Sequence, residues 1–456
     1  MFTAFINPPW VNQGNTSGIR AGSRWPHIRK NYFRIFPFPY RLAEATALLK
    51  KAGHFTILVD SIAEGLTDTE TLFQIAGVEL AVVETATNSL NNDINFLKTL
   101  RINNPKCIIV AVGQHASIGE KDLKPYCDYV FPREYDYKVR DLANGVTPTD
   151  VDVDVKTIPW PYRNKNTFHL YQDGFCTAFP NATVTTSRGC PYACTFCQEP
   201  TVFFNRPGRR LRDPADVVEE WVWLHKELKA KEIYIDDSTF TADEGFVHAI
   251  LDEKEKRKLN IRFSAMGDAR VSDELLTRLA KNKFTGLKIG VESIHPEILK
   301  KVNKAWLKRS DIERTVRKCR ELGIFIHGTF ILGLPGDTKE TITSTVNYAL
   351  HEPFNFVQFS PFIPLAGTKI YDEVVKNGWL KSSYDTGCNV IVDRPELHAN
   401  ELEALVKSAQ ARISRRVFSR IHLLKKYLKL AWVSKETNLF QLVWDRIRLL
   451  FLNSRL

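Results

Sequence analysis

Cys190, Cys194 and Cys197 fall within the stretch "RGCPYACTFCQEP" (188–200), spaced Cys-x3-Cys-x2-Cys. Three thiolates this close suit a soft metal. Structural zinc is four-coordinate and closed, so a zinc reading needs a fourth ligand, from Cys176 or a distant histidine. An iron–sulfur cubane usually takes four cysteines. With three, one iron keeps a position open for a small molecule. The other cysteines, Cys107, Cys127, Cys176, Cys319 and Cys388, are scattered. That pattern is no disulfide framework and fits a reducing, cytoplasmic compartment.

The elements that must position these thiols form two series. The chain has 456 residues, 44% of them hydrophobic, enough for two or three domains with ordinary cores. Over residues 1–140 the apolar runs "FTAFINPP", "FTILVD" (55–60), "LAVVET" (80–85), "CIIVAVG" (107–113) and "DYVF" (128–131) alternate with helical patterns. In "YRLAEATALLKKAGH", Leu42, Ala45, Leu48, Leu49 and Ala52 share a stripe, and Gly53 suits a C-terminal cap. Runs without alternation, linked by helices, predict a Rossmann-like parallel sheet covered on both faces. Its ligand edge would hold Asn7-Pro8-Pro9, Asp60, Glu84-Thr85 and Gly113-Gln114-His115.

Residues 141–180, rich in Pro and Asp, read as a linker. A second βα series occupies 181–375. Its six runs are 182–187, 232–236, 261–265, 287–291, 324–332 and 355–360. Asp213-Pro214 and Ser310 mark helix starts, and Gly323 a stop. Six such units predict a partial (β/α)6 TIM-like barrel, with chemistry at the C-terminal ends of the strands. The cysteines follow the first of those strands. Residues 376–456 read as a helical, basic C-terminal region.

The cysteine spacing, with Phe196 just before the last thiol, resembles the radical S-adenosylmethionine superfamily. That resemblance implies a [4Fe–4S] cluster on Cys190, Cys194 and Cys197, S-adenosyl-L-methionine on the open iron, and a 5′-deoxyadenosyl radical. Further stretches carry the likeness across 180–375. "YIDDSTF" (234–240) offers Asp236 and Asp237 for the methionine amino group. "FSAMGDARV" (263–271) offers Ser264 and Arg270 for the ribose and the carboxylate. "IGVESIHPEILKKVNK" (289–304) offers Glu292. "FILGLPGDTKETI" (330–342) and "FSPFIPLAGTKIYDEV" (359–374) match the fifth- and sixth-strand exits. Each has a plainer reading: Asp236 and Asp237 as a cap, Arg270 in a salt bridge, Glu292 paired with Lys288 or Lys304, Gly333-Leu334-Pro335-Gly336 as a turn.

Residues 1–140 ahead of such a barrel resemble the branch with an N-terminal cobalamin-binding domain, which includes magnesium-protoporphyrin ester cyclase-like and hopanoid methylase-like enzymes. The resembling stretches are "INPPW", "EATALLKKAGHFTILVD", "ETATNSLNND" and "VAVGQHAS". There is no Asp-x-His-x-x-Gly to supply a lower cobalt ligand, and Gln114 stands where a second glycine is common. The resemblance implies cobalamin-dependent methyl transfer to an unactivated carbon of a small-molecule or lipid-like substrate, fed by a flavodoxin- or ferredoxin-type electron donor. A cobalamin-independent radical cyclase or oxidoreductase acting on a tetrapyrrole or lipid-like substrate is the variant. A non-catalytic, zinc-stabilised, membrane-associated protein is the alternative of a different class.

The formal charge of +11 is concentrated at the end. From Arg412 onward eleven Lys/Arg face two Asp/Glu, so residues 1–411 carry only +2. The body therefore gives no ground for nucleic acid binding. Ile413, Val417, Ile421, Leu424, Leu428 and Ala431 oppose Arg415, Lys425, Lys426 and Lys429 on a helical wheel, and 440–452 repeats the pattern with Trp444. This tail fits either docking on the barrel or peripheral contact with an anionic membrane. The start "MFTAFINPPWVNQG" lacks the basic opening of a signal peptide.

Overall fold

The computed structural model describes residues 1–12, 16–17, 36–381 and 391–418. They form two compact units. The first takes Met1–Gln172 with Gln198–Leu211, and the second takes Asp173–Cys197 and the described residues from Arg212 onward.

The first unit is built on β1 (Phe2–Asn7), α1 (Tyr40–Lys51), β2 (Phe55–Asp60), β3 (Leu80–Thr85), α2 (Leu90–Asn103), β4 (Ile108–Gly113), β5 (Tyr129–Val130) and α3 (Asp136–Ala143). All pairings in its sheet are parallel, in the order β2-β1-β3-β4-β5. The period of two sends successive side chains to opposite faces. Phe5, Val82, Val110 and Val112 pack with Leu42, Ala45 and Leu49 of α1 and Val139 of α3. Ala4, Ile6, Ala81, Val83, Ile109 and Ala111 pack with Phe96, Leu97 and Leu100 of α2. Both faces are thus covered, as the unbroken apolar runs require. Gly53 follows α1 at φ +88°, a conformation that favours glycine. The chain reverses direction about β1, which makes the carboxyl ends of β1 and β3 the topological switch point.

The second unit holds six parallel strands, β6 (Asn181–Val184), β7 (Glu232–Ile235), β8 (Arg262–Gly267), β9 (Phe284–Glu292), β10 (Phe325–Leu332) and β11 (Phe356–Pro361), paired in chain order. Helices α4 (Pro214–Glu227), α5 (Glu244–Lys256), α6 (Asp273–Lys281), α7 (Pro296–Lys301), α8 (Arg309–Glu321), α9 (Lys339–His351) and α10 (Lys369–Lys376) alternate with and follow them. This is the expected partial barrel, an open sheet edged by β6 and β11. Asp213 caps α4 through Ala215 N and Asp216 N. Helix α8 starts one residue before Ser310, at Arg309: Asp311 takes the Lys308 N–H and so fixes the first turn there.

The segment before β6 closes the barrel's N-terminal end. Glu232 accepts hydrogen bonds from Thr177 N, Thr177 Oγ1 and Ala178 N, each at 2.8 Å. The Phe175 ring fills the space beneath, 5.9 Å from Phe325 and 6.1 Å from Tyr234 between centroids. A side chain at Gly286 would meet Phe175 Cζ at 2.8 Å, so glycine makes room for the plug. At the sheet's far edge, α11 (Ala399–Phe418) covers β11, and Gln410 Nε2 donates to Phe359 O at 3.2 Å.

Among the described residues no helix is long and apolar enough to cross a membrane. The basic amphipathic stretches beyond Phe418 lie outside the described residues.

Candidate active site

The cysteine loop leaves the carboxyl end of β6 and is fixed at its root by Asp237, which follows β7. The Asp237 carboxylate accepts from Thr186 N and Oγ1, both at 2.6 Å, and from Ser187 N at 3.3 Å and Oγ at 2.7 Å. Arg212, itself buried against Glu220 at 2.7 Å, donates to Thr185 O at 2.8 Å. The turn is thereby set from both sides before the first thiol.

Cys190, Cys194 and Cys197 are all partly buried. Cys190 Sγ lies 3.9 Å from Thr239 Oγ1. Cys197 N donates to Cys194 O at 3.1 Å, closing the second spacer into a turn. The loop is braced along its length. Thr195 N donates to Val302 O at 3.1 Å, Ile370 N donates to Thr195 O at 3.3 Å, and Asn303 Nδ2 donates to Ala193 O at 2.8 Å. Phe196 packs against the apolar cluster of Ile298, Val302, Leu334, Phe362 and Ile370, where it anchors the loop.

Burial pushes the Cys194 thiol up to about 11, while the nearby Lys304 ammonium pulls it down. A metal bound there deprotonates a thiol outright. The Lys304 ammonium is enclosed: it donates to Glu292 Oε1 at 2.7 Å and to Gly290 O at 2.9 Å. Burial opposes its charge, but Glu292 and then Cys194 hold its pKa above the usual lysine value. Glu292 occupies a left-handed backbone conformation at φ +64°, which ends β9 and turns its carboxylate back onto Lys304.

A second polar group lies across the loop. Tyr192, between the first two cysteines, donates to Asp268 Oδ2 at 2.6 Å. Arg270 forks onto Asp268 with Nη2 at 2.6 Å and Nε at 3.2 Å, and also meets Tyr192 Oη. The Tyr192 and Trp306 rings stack at 4.2 Å, and the Arg270 guanidinium lies 4.3 Å from the Trp306 ring centre. Burial alone would raise the Asp268 carboxyl; hydrogen bonds from Arg270 and Tyr192 hold it below the usual carboxylate value.

The residues singled out from the sequence thus separate. The loop carries the thiols and Phe196. Asp237 lies at the loop's root, Asp236 immediately after β7, and Arg270 and Glu292 beside the loop in the two ion pairs. Ser264 lies elsewhere: it is fully buried low in β8, with its Oγ 3.6 Å from Cys176 Sγ at the plugged end of the barrel. Lys304, one of the two lysines the sequence offered to Glu292, is the one that pairs with it. Tyr192, Asp268, Asn303 and Trp306 join the site without having been marked for it. Their only forewarning was proximity to motifs, in "CPYAC", "GDAR" and "VNKAW".

Cys176, the fourth ligand a zinc reading would draw on, lies 3.6 Å from Ser264 Oγ at the plugged end of the barrel. Three thiols on one loop fit a multi-metal group with a vacant position.

The comparisons agree. A family model described as the Radical SAM superfamily matches residues 184–349. The chain is 25% identical over 374 residues to the uncharacterized methyltransferase PH0819 of Pyrococcus horikoshii, covering 75% of this chain and 79% of that protein. It is 24% identical over 348 residues to the hopanoid C-2 methylase of Rhodopseudomonas palustris, covering 69% and 63% respectively. In fold it is similar to the radical S-adenosylmethionine methyltransferase TsrM from Kitasatospora setae, whose structure has cobalamin and a [4Fe–4S] cluster bound; the TM-score is 0.65 at 16% identity, over 89% of this chain and 84% of that one. The thiol loop thus stands at the head of a Radical SAM domain, the matched residues 184–349, within the six-stranded unit.

Proposed function

We propose that this enzyme transfers a methyl group to an unactivated carbon of a small molecule, with cobalamin held by the first unit. One observation carries the reading: in addition to a three-thiol barrel, the chain has a separate doubly wound sheet with a polar ligand edge. Methyltransferase and methylase names among its relatives, and cobalamin in the TsrM structure, support it.

Cys190, Cys194 and Cys197 would hold the [4Fe–4S] cluster. Bound there with S-adenosylmethionine, it supplies one-electron cleavage of the sulfonium bond and so the 5′-deoxyadenosyl radical. The chain's own part is placement and dryness. Asp237 fixes the loop's root, Phe196 anchors it in apolar surroundings, and the Lys304–Glu292 pair walls the Cys194 side. Asp236, Arg270 and Glu292 are the strand-end residues we assign to the methionine end. Arg270 would meet a carboxylate while held by Asp268. Ser264, at the plugged end, we leave out of that set.

For the first unit the fit rests on the edge itself. Asn7 is buried and donates to Asp60 Oδ1 at 2.7 Å, while its own Oδ1 has no hydrogen-bond partner. Gln114 donates to Gln198 Oε1 at 2.7 Å. An edge of amides and carboxylates suits an amide-rich corrinoid. His115 does not serve cobalt: its ring nitrogens are taken by Thr87 Oγ1 and Asp122 Oδ2, each at 3.2 Å.

The same reading places the reaction in the cytoplasm with a flavodoxin- or ferredoxin-type donor. Peripheral membrane contact through residues 412–456 rests on their sequence alone. The test is anaerobic reconstitution with and without hydroxocobalamin. Cobalamin uptake with formation of S-adenosylhomocysteine is expected. 5′-Deoxyadenosine without S-adenosylhomocysteine, and no uptake, would eliminate methyl transfer in favour of a cyclase or oxidoreductase.

A further inference from the structure

Helix α7 ends in a way that costs a better backbone choice. Asn303 N donates to Lys300 O at 3.2 Å and Lys304 N donates to Leu299 O at 2.8 Å. These two bonds, with Asn303 at φ +56°, form a Schellman motif. The left-handed position of that motif favours glycine, and asparagine is second best. The chain has asparagine there, and its amide leaves the helix to donate to Ala193 O at 2.8 Å. Val302, one residue earlier, accepts from Thr195 N at 3.1 Å. The end of α7 therefore holds the cysteine loop on both sides of Cys194.

We infer that Asn303 is a positioning residue for Cys194, its amide fixing the loop at Ala193 so that the thiols present one geometry to the cluster. This rests on the proposed role of the three thiols. It assigns to Asn303 no contact with substrate or cofactor.

The backbone supplies the discriminating variant. Asn303→Gly keeps the left-handed conformation and removes only the amide, so the fold is preserved. Asn303→Asp keeps the backbone preference but sets a carboxylate against a carbonyl. Two readouts are used. In cluster-free protein, alkylation of the thiols at 190, 194 and 197 by iodoacetamide is followed by mass spectrometry. In anaerobically reconstituted protein, iron release to a ferrous chelator is timed, and the reduced cluster is recorded by electron paramagnetic resonance. Asn303→Gly is expected to speed Cys194 alkylation and iron release about tenfold and to broaden the resonance, with an unchanged melting temperature. Asn303→Asp is expected to go further in the same direction. Asn303→Gly indistinguishable from the parent in both readouts would overturn the inference. A parent that takes up no four-iron cluster would instead sink the reading on which it rests, and the alkylation arm still decides the loop contact.

Discussion

Lys304 and Glu292 face each other at 2.7 Å, each under 10% exposed, beside the middle cysteine. Breaking a buried pair leaves an uncompensated charge, which costs about 3–5 kcal/mol. Lys304→Met should therefore destabilise the chain strongly in urea titration, while Lys304→Met combined with Glu292→Gln should recover most of the loss. Equal stability of the single and double variants would refute this pairing as the source of the cost.

Asp237 is expected to act through the loop's root. Asp237→Ala strands the Thr186 and Ser187 N–H groups in a buried turn, at ~1–3 kcal/mol each. Stability should fall by roughly 3 kcal/mol and iron content after reconstitution should fall with it. Asp237→Asn keeps one acceptor and should lie between. Iron content matching the parent in Asp237→Ala would contradict the assignment.

The stacked Tyr192 and Trp306 rings, with Arg270 against them, predict a modest packing effect. Trp306→Ala should cost ~1–2 kcal/mol, because the ring is only partly buried and the stack adds ~0.5–1.5 kcal/mol. Trp306→Phe should restore much of it. Chemical denaturation of both variants gives the comparison.

Asp268 sets a pH limit. Its folded pKa lies below the unfolded value near 3.8, so the stability it contributes is present above that value and is lost as pH falls through the depressed folded pKa. Asp268→Asn should flatten the acid limb of the stability profile below about pH 4 and leave its slope near neutrality unchanged. An acid limb identical to the parent's would count against the Arg270 and Tyr192 bonds as its cause.

Much of the architecture was legible because it depends on short-range patterns. Apolar runs marked the strands of both sheets, and the spacing of Cys190, Cys194 and Cys197 needed only eight residues of context. The partners were harder to see. Asp268 is two residues from Arg270, but Tyr192 is 76 positions away from Asp268 in sequence and reaches it only through the barrel. Lys304 was one of two lysines open to Glu292, and the left-handed turn at Glu292 decides between them. Ser264 shows another limit. A strand residue's type says which face it takes; its distance from the strand's end decides whether it meets the cysteines or the Phe175 plug. That distance depends on register with β7, where Ser264 sits opposite Tyr234.

The helix over β11 has a consequence for association. Six parallel strands leave Phe356–Pro361 with a bare outer rim, and such rims zip onto one another when two molecules meet. Here Gln410 occupies one rim carbonyl and Leu402 fills the hollow at Gly333, where any side chain would strike it at 2.4 Å. A version shortened before Ala399 would thus be a sticky monomer, recruiting a neighbour's strand to replace the missing helix.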